Sequence, residues 1–230
     1  MRAGSDQRLW VIIPVKPFSE AKSRLAGVLG PDERIALSQK LFRQTLAAAL
    51  ASRAGVTLVI SRSASVRAMA SDAGAKAVPE SGHPRPRGDL NAALEEGRDH
   101  ARRAGAHALI TLSADLPWVS REDIDALLPE TATMQGTSDA PTGRIVLAPD
   151  RHRSGTNATY QSPVDALPFC FGPDSLAKHR QLARAAFGEP PALIERLGLQ
   201  FDVDTETDLE ELREAEKRYD GHRSATCERH

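Results

Sequence analysis

The sequence predicts an α/β fold, a mostly parallel sheet with helices on both faces. Three observations lead there. Short apolar runs recur at residues 9–15, 56–61, 76–78, 108–112, 145–148, 167–171 and 199–203, and several are nearly free of polar residues, as strands covered on both faces should be. Stretches with helical periodicity alternate with them. At 31–51, Ile35, Phe42, Leu46 and Ala49 share one stripe, Pro31 suits a first helical turn, and Asp32 and Glu33 complement the positive end of the helix dipole. Residues 89–104 and 122–128 read as further helices. Ser120-Arg-Glu-Asp123 is a capping box ahead of the second, and Thr205-Glu-Thr-Asp208 opens a last helix in the same way. Such alternation places parallel strands side by side with crossover helices between them.

Two segments break the alternation. Residues 79–87 (PESGHPRPR) are rich in turn formers and suit neither a central strand nor a helix. Residues 151–157 (RHRSGTN) read as a polar, glycine-containing loop. Neither is long enough to link domains, so residues 1–219 form one domain and 220–230 a polar, flexible tail.

Composition removes several classes of function. The 230 residues include 30 basic and 31 acidic side chains, so no broad field draws in nucleic acid or a membrane surface, and any anion site must be built locally. No apolar run approaches the roughly 20 residues needed to cross a bilayer, and the run after residue 11 is broken by Pro14 and Lys16, which is wrong for a signal-peptide core. Cys170 and Cys227 stand far apart, which argues against a disulfide framework and for a reducing cytoplasm. Aromatic residues make up 4%, too few for a stacking platform for single strands. P-loop, dinucleotide-fold and nucleophile-elbow motifs are absent, and none of the seven histidines has metal-ligand spacing.

What remains is phosphate chemistry at strand ends. In open parallel sheets, ligands bind at the carboxyl ends of the strands, above all where the strand order reverses. After the first strand the chain reads Lys16-Pro-Phe-Ser-Glu-Ala-Lys22-Ser-Arg24, three cations suited to the oxygens of a triphosphate. After the 108–112 strand comes Ser-Ala-Asp115-Leu-Pro, a carboxylate held by a following proline where Mg²⁺ could bridge it to phosphate. Strand-like alternation points Asp202 and Asp204 to one face, and either could share that metal. Residues 151–157 and Phe171-Gly172-Pro-Asp-Ser175 are candidate acceptor loops. Gly172 permits close backbone approach, and Pro173-Asp174 looks like a helix start that offers N–H groups to an anion. Glu80 and Asp89, flanking the proline-rich segment, are further carboxylates near strand ends.

Together VIIPVKPFSEAKSRL from residue 11, LNAAL from 90, SADLPWVSREDIDALL from 113, APDRHRSGTNA from 148, FGPDSLAKH from 171 and FDVDTETDL from 201 resemble the phospholactate guanylyltransferase family (CofC/FbiD type) of coenzyme F-420 biosynthesis. The resemblance runs from about residue 9 to 215 in the right order. Molybdopterin and sugar-phosphate nucleotidyltransferases, which usually carry a glycine-rich first loop, are the alternative enzymes, and a non-catalytic nucleotide-binding module is the alternative class. The resemblance implies a Rossmann-like, glycosyltransferase-A type fold. It also implies GMP transfer from GTP to a phosphorylated three-carbon acid, with 3-phospho-D-glycerate or phosphoenolpyruvate favoured and 2-phospho-L-lactate a third option. It implies that Lys16, Lys22 and Arg24 contact the triphosphate, that Leu90 and Asn91 face the nucleotide, and that Asp115 with Asp202 or Asp204 binds Mg²⁺. Thr156 or Asn157, Gly172 and Ser175 would hold the acceptor, although Asn157 stands where relatives often have a second threonine. If the chain associates with itself, a homodimer is expected from the commonness of two-fold symmetry.

Overall fold

In the computed structural model, which describes residues 6–81, 89–129 and 143–227, β1 (Asp6–Pro14) lies inside the sheet and is apolar on both sides. Alternation sends Leu9, Val11 and Ile13 to one face and Trp10 and Ile12 to the other. The first set packs with Phe42, Leu46 and Ala49 of α1 (Pro31–Ala51), the stripe expected from the sequence. The second set packs with Ala93, Leu94 and Ala101 of α3 (Leu90–Arg103). Gly97 allows this second contact, because a Cβ there would come within 2.9 Å of Ile12.

Among the described residues the strands form one sheet in the order β3-β2-β1-β4-β6-β5-β7. β2 (Ala54–Ser61), β3 (Lys76–Pro79) and β4 (Ala108–Leu112) run parallel with β1, as expected. The chain passes from β1 to β2 and β3 on one side, then crosses to β4 on the other, so the order reverses between β1 and β4. Helix α2 (Ala64–Asp72) connects β2 to β3. Helix α4 (Arg121–Asp125) is shorter than the expected 122–128, but its capping box at Ser120 and Asp123 is present. No helix among the described residues is long and apolar enough to cross a membrane.

The second half departs from the sequence reading. The loop expected over 151–157 ends at Thr156, where an unforeseen strand begins: β6 (Thr156–Ser162), antiparallel to both β4 and β5 (Arg144–Pro149). Polar residues hide this strand: Thr159 meets Thr111 hydroxyl to hydroxyl at 2.7 Å, and the Gln161 amide donates to Val164 O at 2.7 Å. Burial with every polar group satisfied has no hydropathy signature. Residues 167–171 are not a strand. Pro168 has no N–H to give a ladder, and the Phe171 backbone is taken by the Asn91 side chain, which accepts from its N–H at 2.7 Å and donates to its carbonyl at 3.1 Å. Residues 199–203 are not a strand either. Helix α6 (Leu197–Gln200) runs into an extended segment, and the sheet edge is instead β7 (Ala192–Leu193), parallel to β5.

Helix α5 (Ser175–Phe187) follows the expected start at Pro173-Asp174. Helix α7 (Glu206–Cys227) continues past Tyr219. Its Thr205–Asp208 box forms, with Asp208 accepting from the Thr205 N–H at 2.6 Å and the Asp204 N–H at 2.9 Å. Most of the proline-rich segment 79–87 lies outside the described residues.

Candidate active site

The loop after β1 and the loop after β4 meet where the strand order reverses. The first contains two 3-10 turns, Phe18–Glu20 and Ser23–Leu25, separated by Lys22 in the left-handed region (φ 53°). Phe18 and Leu25 anchor the turns in the core, and the kink between them sends the Lys22 side chain inward, where it is 5% exposed. Its ammonium donates to Asp115 Oδ2 at 2.5 Å and Asp204 Oδ1 at 3.0 Å. The Ser113 hydroxyl holds the other Asp115 oxygen at 2.5 Å.

A separate small core brings Asp202 and Asp204 to this point. Phe201 and Val203 are buried with Leu25, Leu29 and Leu41 of the β1 loop and α1 and with Leu209 and Leu212 of α7, so the alternating carboxylates face away. The expected alternation therefore exists in extended backbone outside any ladder. Phe201 is itself clamped, stacked on Trp118 with ring centroids 4.1 Å apart and covered by the Arg151 guanidinium at 5.0 Å. Arg151 also pairs with Asp208 and Glu211. Arg151, a candidate of the acceptor loop, is spent on supporting the carboxylate segment.

One oxygen each of Asp115, Asp202 and Asp204 lie within 4.8 Å of one another. The electrostatics follow from this crowding. Burial alone would lower the Lys22 pKa, but Asp115 and Asp204 outweigh it and hold the ammonium above its ordinary value. Burial likewise works against the charge on Asp115, yet Lys22 and the Ser113 hydroxyl pull its pKa below the usual carboxylate range. Asp202 is pushed up to about 6, by burial first and by repulsion from Asp115 second, despite the Asn157 amide 3.2 Å away. The cluster thus carries more negative charge than Lys22 neutralises. An all-oxygen donor set with surplus charge suits a hard divalent cation.

A cavity of about 440 Å³ opens beside the cluster. Lys16, Lys22, Arg24, Asp115 and Asp204 line one part of it, and Leu90 lines another. Asn91, Thr156, Asn157, Gly172 and Ser175 are not on this wall. Asn91 ties down Phe171. Asn157 gives its amide to Leu199 O, Gln200 O and Asp202. Thr156 meets His179 Nδ1 at 3.2 Å, and Ser175 is 2% exposed. Gly172 is exposed, with φ 116° and nothing within 4 Å of where a Cβ would stand. Sequence reasoning missed Ser113, although its spacing two before Asp115 was a signal. It also missed Arg62, which no motif marks, and Glu20, which lies within the loop after β1; both line the cavity and bond to each other at 2.8 Å.

Comparison with known proteins finds relatives both in sequence and in fold. Phosphoenolpyruvate guanylyltransferase of Sphaerobacter thermophilus is 41% identical over 202 residues, 87% of this chain and 90% of that protein. The enzyme of that name from Rubrobacter xylanophilus is 38% identical over 204 residues, 89% and 93% of the two chains. Among solved structures, a Desulfovibrio desulfuricans protein assigned to the nucleotide-diphospho-sugar transferases superposes with a TM-score of 0.65 at 15% identity, covering 89% of this chain and 85% of that one. A nucleotidyl transferase from Methanothermobacter thermautotroptrophicus gives 0.60 at 15%, covering 92% and 98%. These likenesses establish the nucleotide-diphospho-sugar transferase fold. The family described as "Guanylyl transferase CofC like" matches residues 9–217. The chain therefore belongs to the CofC-like guanylyl transferases and is a nucleotidyltransferase.

Proposed function

We propose that this chain transfers GMP from GTP to phosphoenolpyruvate with release of pyrophosphate, in coenzyme F-420 biosynthesis. The convergence of Lys22, Asp115 and Asp204 on a cavity also lined by Lys16 and Arg24 supports this reading most directly. The names of the relatives favour phosphoenolpyruvate over 3-phospho-D-glycerate and 2-phospho-L-lactate.

The attacking group is a phosphate monoester with a second pKa of about 6, so it is already an anion at neutral pH. One of its oxygens bonds to the α-phosphorus of GTP as the bond to the α–β bridging oxygen breaks, and pyrophosphate leaves with the electron pair. No proton need move, which suits a cavity with no histidine among its described lining residues. The task is to bring two anions together in line. Lys16, Lys22 and Arg24 offset charge on the triphosphate and on the departing pyrophosphate. Asp115, Asp202 and Asp204 would hold Mg²⁺, which when bound neutralises charge at the reacting phosphates. Asn157 serves by orienting Asp202.

Incubating the protein with GTP, Mg²⁺ and each of the three acids, and following pyrophosphate, tests this directly. Release with phosphoenolpyruvate that stops on adding EDTA is expected. Absence of release with every acid rejects the proposal.

A further inference from the structure

We propose that Glu80 reads the guanine base, accepting hydrogen bonds from its N1–H and 2-amino groups at the end of the cavity remote from the carboxylate cluster. The inference rests on the nucleotide reading above and adds the source of base selectivity.

The order of strand ends carries it first. Along the carboxyl edge of the sheet stand Glu80 after β3, Arg62 after β2, Lys16 after β1 and Asp115 after β4, all on the wall of one cavity. Neighbouring strands are about 4.8 Å apart, so β3 and β4 are separated by roughly 14 Å. That leaves room for a nucleoside between a base-reading group at one end and phosphate-binding groups at the other. Leu90, 36% exposed at the start of α3, and Ala93 supply an apolar surface between them.

Elimination carries it second. The carboxylates lining the cavity are Glu20, Glu80, Asp89, Asp115 and Asp204. Asp115 and Asp204 are bound to Lys22. Glu20 accepts from Arg62, and Asp89 caps α3 by accepting from the N–H groups of Asn91 and Ala92. Among the described residues, no hydrogen bond reaches the carboxylate of Glu80, unlike the other four. Arg62 Nε stands 3.7 Å away, near enough to favour the charge but too far to occupy an oxygen. The Glu80 N–H donates to Ser61 O at 3.3 Å, fixing its backbone beside the end of β2. Burial raises the carboxyl's pKa above the ordinary value while Arg62 opposes the rise.

The chemistry then selects the base. A carboxylate offers two acceptors side by side, which match the two adjacent donors of guanine. Adenine presents an acceptor at N1 and lacks the 2-amino group, so it is repelled; hypoxanthine keeps N1–H and loses one bond.

The test compares GTP, ITP and ATP as donors for pyrophosphate release with phosphoenolpyruvate, and as ligands in calorimetry without acceptor. For the unaltered protein GTP should exceed ITP by about 10- to 100-fold, the worth of one hydrogen bond to a charged group, and ATP should be weaker still. In Glu80→Gln, GTP should fall by about 10- to 100-fold and ITP by much less, so the preference collapses. Equal binding of GTP and ITP by the unaltered protein overturns the proposal, as does a variant that keeps the full preference or loses both ligands equally. Absence of turnover by the unaltered protein with every acid rejects the reaction instead, and the calorimetric comparison still decides the role of Glu80.

Discussion

Two loop regions stood as candidates to bind phosphorylated ligands, and they use their polar side chains differently. In the loop after β1, Lys16 and Arg24 remain exposed, and Lys22 is turned inward onto two carboxylates that end other elements. In the 151–175 region, Arg151 supports Phe201 and Asp208, Asn157 holds Asp202, Thr156 meets His179, and the Asp150 carboxylate accepts from the Ser154 and Gly155 N–H groups. The difference follows from sheet geometry. A loop at the carboxyl end of a parallel strand faces an open crevice. A hairpin strand packed between two neighbours must satisfy its own polar groups internally. Polar composition alone does not separate the two cases; what separates them is whether a partner lies inside the fold.

The comparison breaks most sharply at Asp115. Asp115→Asn should lower kcat/KM for pyrophosphate release by about 1000-fold or more, since it removes charge where metal and Lys22 converge. Thermal unfolding should change far less than activity, because Asp204 still pairs with Lys22 when the Asp115 charge is removed. Retained activity would remove the carboxylate cluster from the chemistry.

Asn157→Ala asks whether the second region acts through the first. Orienting partners of metal ligands are typically worth about 10- to 100-fold. Weaker Mn²⁺ binding by that factor, measured by titration without nucleotide, is expected, with KM for phosphoenolpyruvate nearly unchanged. A raised KM with intact Mn²⁺ affinity would instead make Asn157 an acceptor contact.

The smallest effect is expected at His179, which belongs to the second region alone. Its Nε2 accepts from the Cys170 N–H at 3.3 Å, and burial depresses its pKa to about 4 from 6.5. The folded protein therefore binds fewer protons than the unfolded chain between those values. Stability from this residue is full above pH 6.5, falls as pH drops and levels off below about 4. Roughly 1–2 kcal/mol should be lost between pH 7 and pH 5. Denaturant melts at both values, with His179→Asn as reference, should show the variant losing less than the unaltered protein; equal losses would mean that His179 does not titrate this way.

Much of this was legible in the residues themselves. The strands β1, β2, β3 and β4 and helix α1 announce themselves because burial on both faces, or on one helical stripe, is written as hydropathy. The cations after β1 and Asp115 after β4 were identifiable because a strand end is a place that a sequence can mark. The caps at Ser120 and Thr205 were readable because they are local bonds three residues apart. Tertiary structure alone decided that 156–162 pairs as a strand, since Thr111 meeting Thr159 is a contact across 48 residues. It also decided that Lys22 joins Asp115 to Asp204, across 93 and 182 residues, and that Asp89 is taken by its own helix cap while, among the described residues, no hydrogen bond reaches the Glu80 carboxylate. Hydropathy and capping act within a few residues and survive in one dimension. Whether a polar group is already satisfied depends on distant partners, and only the folded chain brings those within reach.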